Sequence, residues 1–191
     1  MRRVALIGLV LGAAVTLSHV GLGAQAPARG AQPRPAAASA AGARVHGNLL
    51  QVMRGVIYPA SNVVFAAQED PAAIKPAADP STSPNPLSSS YGGWTAVENA
   101  GITLAESANL LTLPGRTCAN GKPVPMRNAD WAPLVQELRD AGMSVYKAAQ
   151  TKNVDTMLEA VDKMTVSCSN CHDLYREKTT AQGGLAARCT K

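Results

Sequence analysis

Apolar side chains recur at every third or fourth position over four stretches of this 191-residue chain, and no stretch shows the alternating pattern of a strand. The stretches are residues 48–68, 94–113, 130–150 and 153–178. Each pattern places its apolar set on one face of a helix, which must be buried against other helices. The short connection TKN makes the last two helices antiparallel neighbours. The sequence therefore predicts an all-α fold, an antiparallel four-helix bundle with a long loop between helices 1 and 2.

Capping residues and prolines predict the helix boundaries. Asp130 precedes the third apolar stretch and is the expected N-cap there, and Asn153 or Asp155 takes that role for the fourth. Pro59 lies near the middle of the first stretch and lacks the N–H that an unbroken helix requires. We therefore expect a kink or a break in the first helix. Residues 69–93 form a Pro/Ser-rich connection longer than a bundle needs, either functional or mobile.

The chain opens with MRRVALIGLVLGAAV, two arginines before an apolar run that later gives way to small residues. This layout is typical of a secretory signal peptide, here residues 1–28, with cleavage after Ala26 or Ala28. The alternative is an uncleaved anchor, but Ser18 and His19 interrupt the run short of the roughly 20 residues that a membrane span requires. We therefore expect export to the periplasm and no stable membrane span after cleavage.

The net charge of +5 arises from the first 44 residues. Five arginines there have no acidic counterpart, whereas residues 45–191 carry 13 Lys or Arg and 13 Asp or Glu. No basic patch with interleaved aromatics indicates nucleic-acid binding. Residues 29–46 are rich in Ala, Pro and Arg with almost nothing to bury, which predicts a flexible leader. Residues 47–191 then form one helical domain.

The pentapeptide CSNCH, from Cys168 to His172, is the most informative motif in the chain. With four cysteines and three histidines, chance places C-x-x-C-H in roughly one chain in a thousand of this composition, so the pattern carries information. On the fourth helix Cys168, Cys171 and His172 lie three and four residues apart and share one inward face. Covalent haem needs this geometry, because two thioethers fix the edge of the macrocycle while the adjacent imidazole reaches the iron.

Three other interpretations of the motif have weaker support. A redox dithiol normally follows a strand at the start of a helix, whereas about four helical turns precede this one. A zinc site needs four ligands, and only Cys118, Cys189 and His46 remain, none of them in paired spacing. A structural disulfide between Cys168 and Cys171 would be strained within a helix.

The stretch CSNCHDLYREK, near the end of the last of four helices in an exported chain, resembles the class II c-type cytochromes, the cytochrome c prime family. The resemblance covers the helical layout from about residue 49 to residue 178. It is specific in sequence only over residues 168–178, and a weaker similarity lies around VMR in the first helix. It implies one covalent haem c, with Cys168 and Cys171 as thioether anchors and His172 as the proximal iron ligand.

The resemblance carries two further implications and has clear limits. Arg176 matches an arginine that is often near the haem in the family, although a solvated cation at a helix end explains it equally well. Family members are often dimers through their first helices, which implies a homodimer here. The 69–93 loop, the loop around Cys118 and the tail TTAQGGLAARCTK depart from the compact family pattern.

A second axial ligand must come from upstream, since no Met or His follows His172. The weaker candidates are the core residues Met157 and Met164, Met143 off the inward stripe, Met126 in a Pro-rich loop, and His46 at the end of the leader. Met53 lies on the inward stripe of the first helix, and in low-spin family members a first-helix Met is the distal ligand. We therefore expect Met53 to be that ligand. The alternative is that Met53 is a core residue beside a vacant iron site.

These expectations define a function and its alternatives. His/Met ligation saturates the iron and suits a single-electron carrier between redox partner proteins. A vacant distal site gives instead a five-coordinate protein that binds NO or CO, and a second alternative is a non-haem dithiol or structural protein. Enzymatic activity of the peroxidase kind is not expected, because His46 and His172 are the only histidines after the signal peptide and leave no general base.

The remaining cysteines, Cys118 and Cys189, are expected to form a disulfide in an oxidising compartment. Closing a loop of about 70 residues stabilises a fold by roughly 4 kcal/mol by the chain-entropy argument. The alternatives are two free thiols or an intermolecular link.

Overall fold

The computed structural model describes residues 44–190, which contain four long helices. These are α1, Leu49–Ala66; α2, Trp94–Leu110; α3, Trp131–Thr151; and α4, Val154–Tyr175. Short 3-10 turns lie at Pro71–Ala73, Pro86–Ser88, Thr180–Gln182 and Gly184–Ala187. Over residues 44–190 the β-pairing is limited to one antiparallel bridge, between Thr117 and Pro123, and the predicted all-α fold is confirmed. The predicted signal peptide and most of the predicted leader lie outside the described residues.

Helix α1 contains a π-helical segment that Pro59 explains. The helix is α-helical over Leu49–Val52, π-helical over Met53–Ile57 and α-helical again over Tyr58–Ala66. Pro59 has no N–H to donate to the preceding turn, and the chain forms one wider turn in which the Tyr58 N–H donates to the Met53 carbonyl. The helix is therefore not broken at Pro59, and the irregularity lies in the turn before it.

Helix α1 is also the one helix in the described part that is long and apolar enough, by length and composition, to cross a membrane. The core helix of a water-soluble protein meets the same criterion. Its buried side chains include Val63 and Val64, which belong to the hydrophobic core. Helix α1 packs against α2, and this contact accounts for its apolar face.

Helices α2 and α3 make the most extensive helix–helix contact among the described residues, and two glycines permit it. A Cβ atom at Gly101 would lie 2.6 Å from the backbone N of Tyr146. A Cβ atom at Gly142 would lie 2.5 Å from the backbone N of Ala105. Neither distance is compatible with a side chain unless the helices move apart, because protein interiors are close-packed.

The main helix contacts follow chain order. Helix α1 packs on α2, α2 on α3, and α3 on α4. Within residues 44–190 no contact of similar extent joins α1 to α4. Among the described residues α1 and α4 are therefore not closely packed on each other.

Contacts between chain segments bring four helix ends together at one end of the molecule. The indole Nε1 of Trp131, at the start of α3, donates to the carbonyl of Leu111, just after α2. The Trp131 ring packs edge-on against the ring of Tyr175, at the end of α4, with centroids 5.1 Å apart. The N–H of Leu49, at the start of α1, donates to the carbonyl of Thr117 in the loop that follows α2. We call this the motif end, because the CSNCH motif lies one turn before Tyr175.

The long connection between α1 and α2 is packed against the fold. The Asp70 and Asn85 side chains each accept a backbone N–H and start the two 3-10 turns of this loop. Pro71 and Leu87 are buried, and the Leu87 carbonyl accepts the N–H of Gly93 at the start of α2. The loop therefore packs against the start of α2, and its later residues also line a groove with α1.

Candidate functional site

The CSNCH motif lies in the last two turns of α4, as the sequence predicts. The side chain of Asn153 accepts a backbone N–H of the first turn at 2.9 Å, so Asn153 is the N-cap of this helix. From this cap α4 continues without interruption through the motif. Cys168, Cys171 and His172 consequently share one helical face.

The inward face of α4 becomes less buried where the motif begins. Met157 and Met164 are both 0% exposed and lie in the core. Cys168, Cys171 and His172 are only half-buried, although the next turn of the helix is buried again. On the inward stripe of α4, the half-buried positions are thus the three motif side chains.

Half-buried apolar side chains from other elements lie at the same end of the molecule. Leu49 and Met53 occupy the first turns of α1, and Met126 lies in the connection to α3; all three pack against the core without being covered by it. Neighbouring hydrogen bonds hold this connection at the motif end, since the amide of Asn128 donates to the hydroxyl of Tyr175 at 3.0 Å. The structure therefore brings both the predicted ligand Met53 and the weaker candidate Met126 to the end that carries His172.

The orientation of α4 directs His172 away from α3. The amide of Asn170 donates to a carboxylate oxygen of Glu137 on α3 at 2.9 Å, which fixes the side of α4 that faces α3. His172 is two residues further on and projects about 200° around the helix from Asn170. Its imidazole accordingly lies on the flank of α4 that faces away from α3.

The environment of His172 favours its neutral form. Burial lowers the pKa of the imidazole, and the positive charge of Arg176 one turn away lowers it further. Glu177 and Asp173 act in the opposite direction without reversing the shift. A neutral imidazole is the form that coordinates a metal ion.

The motif thiols are protonated at neutral pH. They are not bonded to each other. Burial raises the pKa of Cys171 to about 11, helped by the neighbouring Cys168 and by Asp130 and Glu137 on the α3 side. Burial also raises the pKa of Cys168, although Arg176 partly offsets this shift. A reactive dithiol requires a lowered pKa instead, so these surroundings do not favour redox chemistry at the motif.

We predict that Cys171 in protein made without haem attachment reacts slowly with iodoacetamide at neutral pH. A pKa of about 11 lowers the thiolate fraction at pH 7 about a hundredfold below that of an ordinary cysteine thiol. The alkylation rate, followed by mass spectrometry, should therefore rise steeply as the pH is raised towards 11. The same protein in urea is the control and should react at the ordinary rate, because unfolding removes the burial. Fast alkylation of the folded protein at pH 7 would contradict this prediction.

Arg176 is exposed and directly follows α4. Its guanidinium forms an ion pair with the carboxylate of the adjacent Glu177. It lies one turn beyond His172 on the same side of the helix, and its charge acts on both His172 and Cys168. Its position is compatible with both predicted roles, a haem contact and a solvated cation.

Cys118 and Cys189 are paired in the structure. Their sulfur atoms lie at disulfide-bonding distance, their Cα atoms are 6.1 Å apart, and both residues are buried. The pair connects the loop between α2 and α3 with the segment that follows α4, as the sequence analysis expects.

A polar cluster beneath the motif was not predicted from the sequence. Asp130 is at the N-cap position of α3, as expected, but its carboxylate accepts the Tyr175 hydroxyl at 2.5 Å rather than a backbone N–H of its own helix. Asn128 and Trp131 complete the contacts around Tyr175. The only sequence signal was Tyr175 on the inward stripe of α4, because a buried Tyr hydroxyl requires a hydrogen-bond partner.

Comparisons with known proteins leave the family open. No protein-family model, no curated protein and no solved structure matches this chain.

Proposed function

We propose that this protein is an exported c-type cytochrome of the class II kind, an antiparallel four-helix bundle that carries single electrons with one covalent haem c. The meeting of four helix ends at the motif end supports the bundle topology. The starts of α1 and α3 lie there with the ends of α2 and α4, as an up-down-up-down arrangement requires.

The observation that carries the proposal is the half-buried motif face of α4, a helix that among the described residues does not pack closely on α1. The donor set fits haem c, since Cys168 and Cys171 carry free thiols and His172 is held in its neutral form. The two thiols and the imidazole are incompletely covered, and half-buried apolar side chains lie at the same end of the molecule, a surface that a flat apolar cofactor would bury. The residues present therefore fit the group.

In this proposal each residue has a defined task. Cys168 and Cys171 would hold haem c through two thioethers, and His172 would be the proximal ligand of its iron. When bound, haem supplies an iron that exchanges one electron reversibly between its ferrous and ferric states. Redox partner proteins in the periplasm are the proposed donors and acceptors.

Met53 is the proposed distal ligand. It begins the π-helical turn of α1, is half-buried, and lies at the motif end. π-Helical turns are often found at functional sites. Met126 satisfies the same conditions of burial and location, so it is the competing thioether and must be tested with Met53.

The test of the proposed function is an optical spectrum of the mature protein made with the haem c maturation machinery. A low-spin spectrum with a sulfur–iron band when oxidised, unchanged by CO when reduced, supports an electron carrier with Met ligation. A high-spin spectrum that shifts promptly with CO supports the five-coordinate alternative. The absence of covalent haem from a correctly matured sample would contradict the proposal and favour the second alternative, a non-haem dithiol or structural protein.

We predict that Met53→Ala abolishes the sulfur–iron band and opens the iron to CO. Alanine removes the only sulfur that α1 contributes at the motif end, so the distal position loses its ligand. Met126→Ala is the matched control, a half-buried Met at the same end, and should leave the band in place. Loss of the band in Met126→Ala with retention in Met53→Ala would assign the ligand to Met126.

The proposed homodimer has its own structural support. A groove between α1 and α2 is lined by uncharged side chains, among them Val56, Pro59 and Ala100. Tyr91, from the connecting loop, lines the same groove and is 73% exposed. A second copy of the chain would bury this surface. Sedimentation equilibrium measures the mass of the protein in solution and so tests for the dimer.

A further inference from the structure

Helices α1 and α4 carry the two proposed axial ligands but pack mainly on other helices. Helix α1 rests on α2 and α4 rests on α3, with no contact of similar extent between α1 and α4 in the part that the structure describes. Ligation of one iron by Met53 and His172 requires these two helices to keep a fixed separation. Another part of the chain must therefore fix the position of α1 relative to α4.

The loop between α2 and α3 binds the start of α1. The Thr117 carbonyl accepts the Leu49 N–H at 2.8 Å, and Arg116 Nη1 donates to the Gly47 carbonyl at 2.6 Å. Arg116 is only 4% exposed, and its Nε also donates to the carbonyl of Leu110 at the end of α2 at 2.8 Å. A buried guanidinium bonded to two separate backbone segments fixes their relative position, since leaving it unpaired is costly.

The same loop binds the segment after α4. Cys118 is paired with Cys189, and the Cys189 N–H donates to the Tyr175 carbonyl at 2.6 Å. The amide of Asn120 adds two hydrogen bonds of 3.0 Å, to the carbonyls of Ala186 and Arg188. One short segment, 116–120, thus contacts the start of α1 directly and is linked to the end of α4 through Cys189.

The distances along the chain make these contacts relevant to ligation. Leu49 lies four residues before Met53, about one helical turn, and Tyr175 lies three residues after His172. A shift of segment 116–120 therefore moves the backbone that carries both proposed ligands.

We propose that Arg116 and the Cys118–Cys189 pair form a strap that positions the first turns of α1 against α4 and thereby holds Met53 over the iron. This inference rests on the proposed function. The strap residues are positioning residues, because they act through Met53 and His172 rather than on the cofactor. Without the strap the start of α1 is no longer held in place, so Met53 would be released from the iron in a larger fraction of molecules.

The test compares mature haem-containing wild type with two variants, Arg116→Met and the double variant Cys118→Ser/Cys189→Ser. We expect the sulfur–iron band to weaken in both, and CO to bind the reduced variants about tenfold faster, because that rate follows the fraction of molecules with Met53 released. Amide hydrogen exchange over residues 49–57 should rise in both, while exchange in α2 and α3 stays at the wild-type level. All measurements are made well below the unfolding temperature of each variant.

A second destabilised variant separates positioning from general loss of stability. Val145→Ala shortens a side chain that is 0% exposed, in the second half of α3 and fourteen residues after Trp131 at the motif end. It should lower the free energy of unfolding yet leave the band, the CO rate and the exchange over residues 49–57 unchanged.

The possible outcomes test the strap and the proposed function separately. Unchanged exchange over residues 49–57 in both strap variants would overturn the strap. So would weakening of the band in Val145→Ala to the same degree as in the strap variants. If wild type itself lacks a sulfur–iron band, the proposed Met ligation fails, and hydrogen exchange alone decides whether the strap holds α1.

Discussion

Replacing both Cys168 and Cys171 by alanine should abolish covalent haem attachment and leave helix α4 intact. Neither thioether can form without its sulfur atom, whereas alanine has the highest intrinsic helix propensity, so the helix is retained. Haem staining of a denaturing gel and the intact mass of the purified protein measure the attachment. The stain should fall to background, and far-UV circular dichroism should still show a helical protein. Each single variant should retain one thioether.

The remaining cysteines provide the matched control for this experiment. Cys118→Ala/Cys189→Ala removes the same number of sulfur atoms from a pair that lies outside α4. This variant should keep the haem stain, even though it loses the stabilisation from the disulfide. A wild-type protein without covalent haem, or a double motif variant that keeps it, would contradict the assignment of CSNCH.

The helices and the location of the motif could be read from the sequence because both depend on local patterns. The apolar spacing of α4 and its cap at Asn153 appear in neighbouring residues, and the structure contains both. The response to Pro59 was only partly predictable. A proline marks where a hydrogen bond is lost, but whether the helix breaks or forms a π turn depends on the packing of Val63 and Val64 beyond it.

The sequence predicts which residues form the candidate site, but it does not predict their burial or the long-range contacts around them. The spacing of Cys168, Cys171 and His172 identifies the motif, but their partial exposure depends on how the rest of the fold covers this end of α4. Arg116 has no sequence pattern that separates it from other loop arginines, because its partners, the carbonyls of Gly47 and Leu110, are brought to it only by the tertiary fold. Long-range backbone contacts of this kind leave no local signal.

The close contact of α2 with α3 combines a predictable part with an unpredictable one. Gly101 lies on the inward stripe that the sequence defines. Gly101 faces the backbone of α3 across from Gly142. This contact depends on how the two helices, joined by a long loop, are shifted along their axes relative to each other, which periodicity does not determine. The opposing glycines show that this register is a packing requirement.

Gly101→Ala should therefore destabilise the protein although alanine is the better helix former. Its Cβ would lie 2.6 Å from the backbone N of Tyr146 and 2.9 Å from the carbonyl O of Gly142, and both are rigid backbone atoms. Overpacking of this kind costs about 1–3 kcal/mol in the free energy of unfolding, which exceeds the gain of about 1 kcal/mol in helix propensity. Urea denaturation followed by circular dichroism measures the difference.

The same substitution at Gly55 tests whether the contact, and not the loss of glycine, causes the effect. Gly55 is an exposed helical residue whose added Cβ would meet nothing within 4 Å, so Gly55→Ala should be neutral or stabilising by up to about 1 kcal/mol. Gly142→Ala should destabilise as Gly101→Ala does, and the double variant should lose less than the sum, because one separation of the helices relieves both clashes. Equal stability of Gly101→Ala and Gly55→Ala would mean that α2 and α3 do not approach through their backbones.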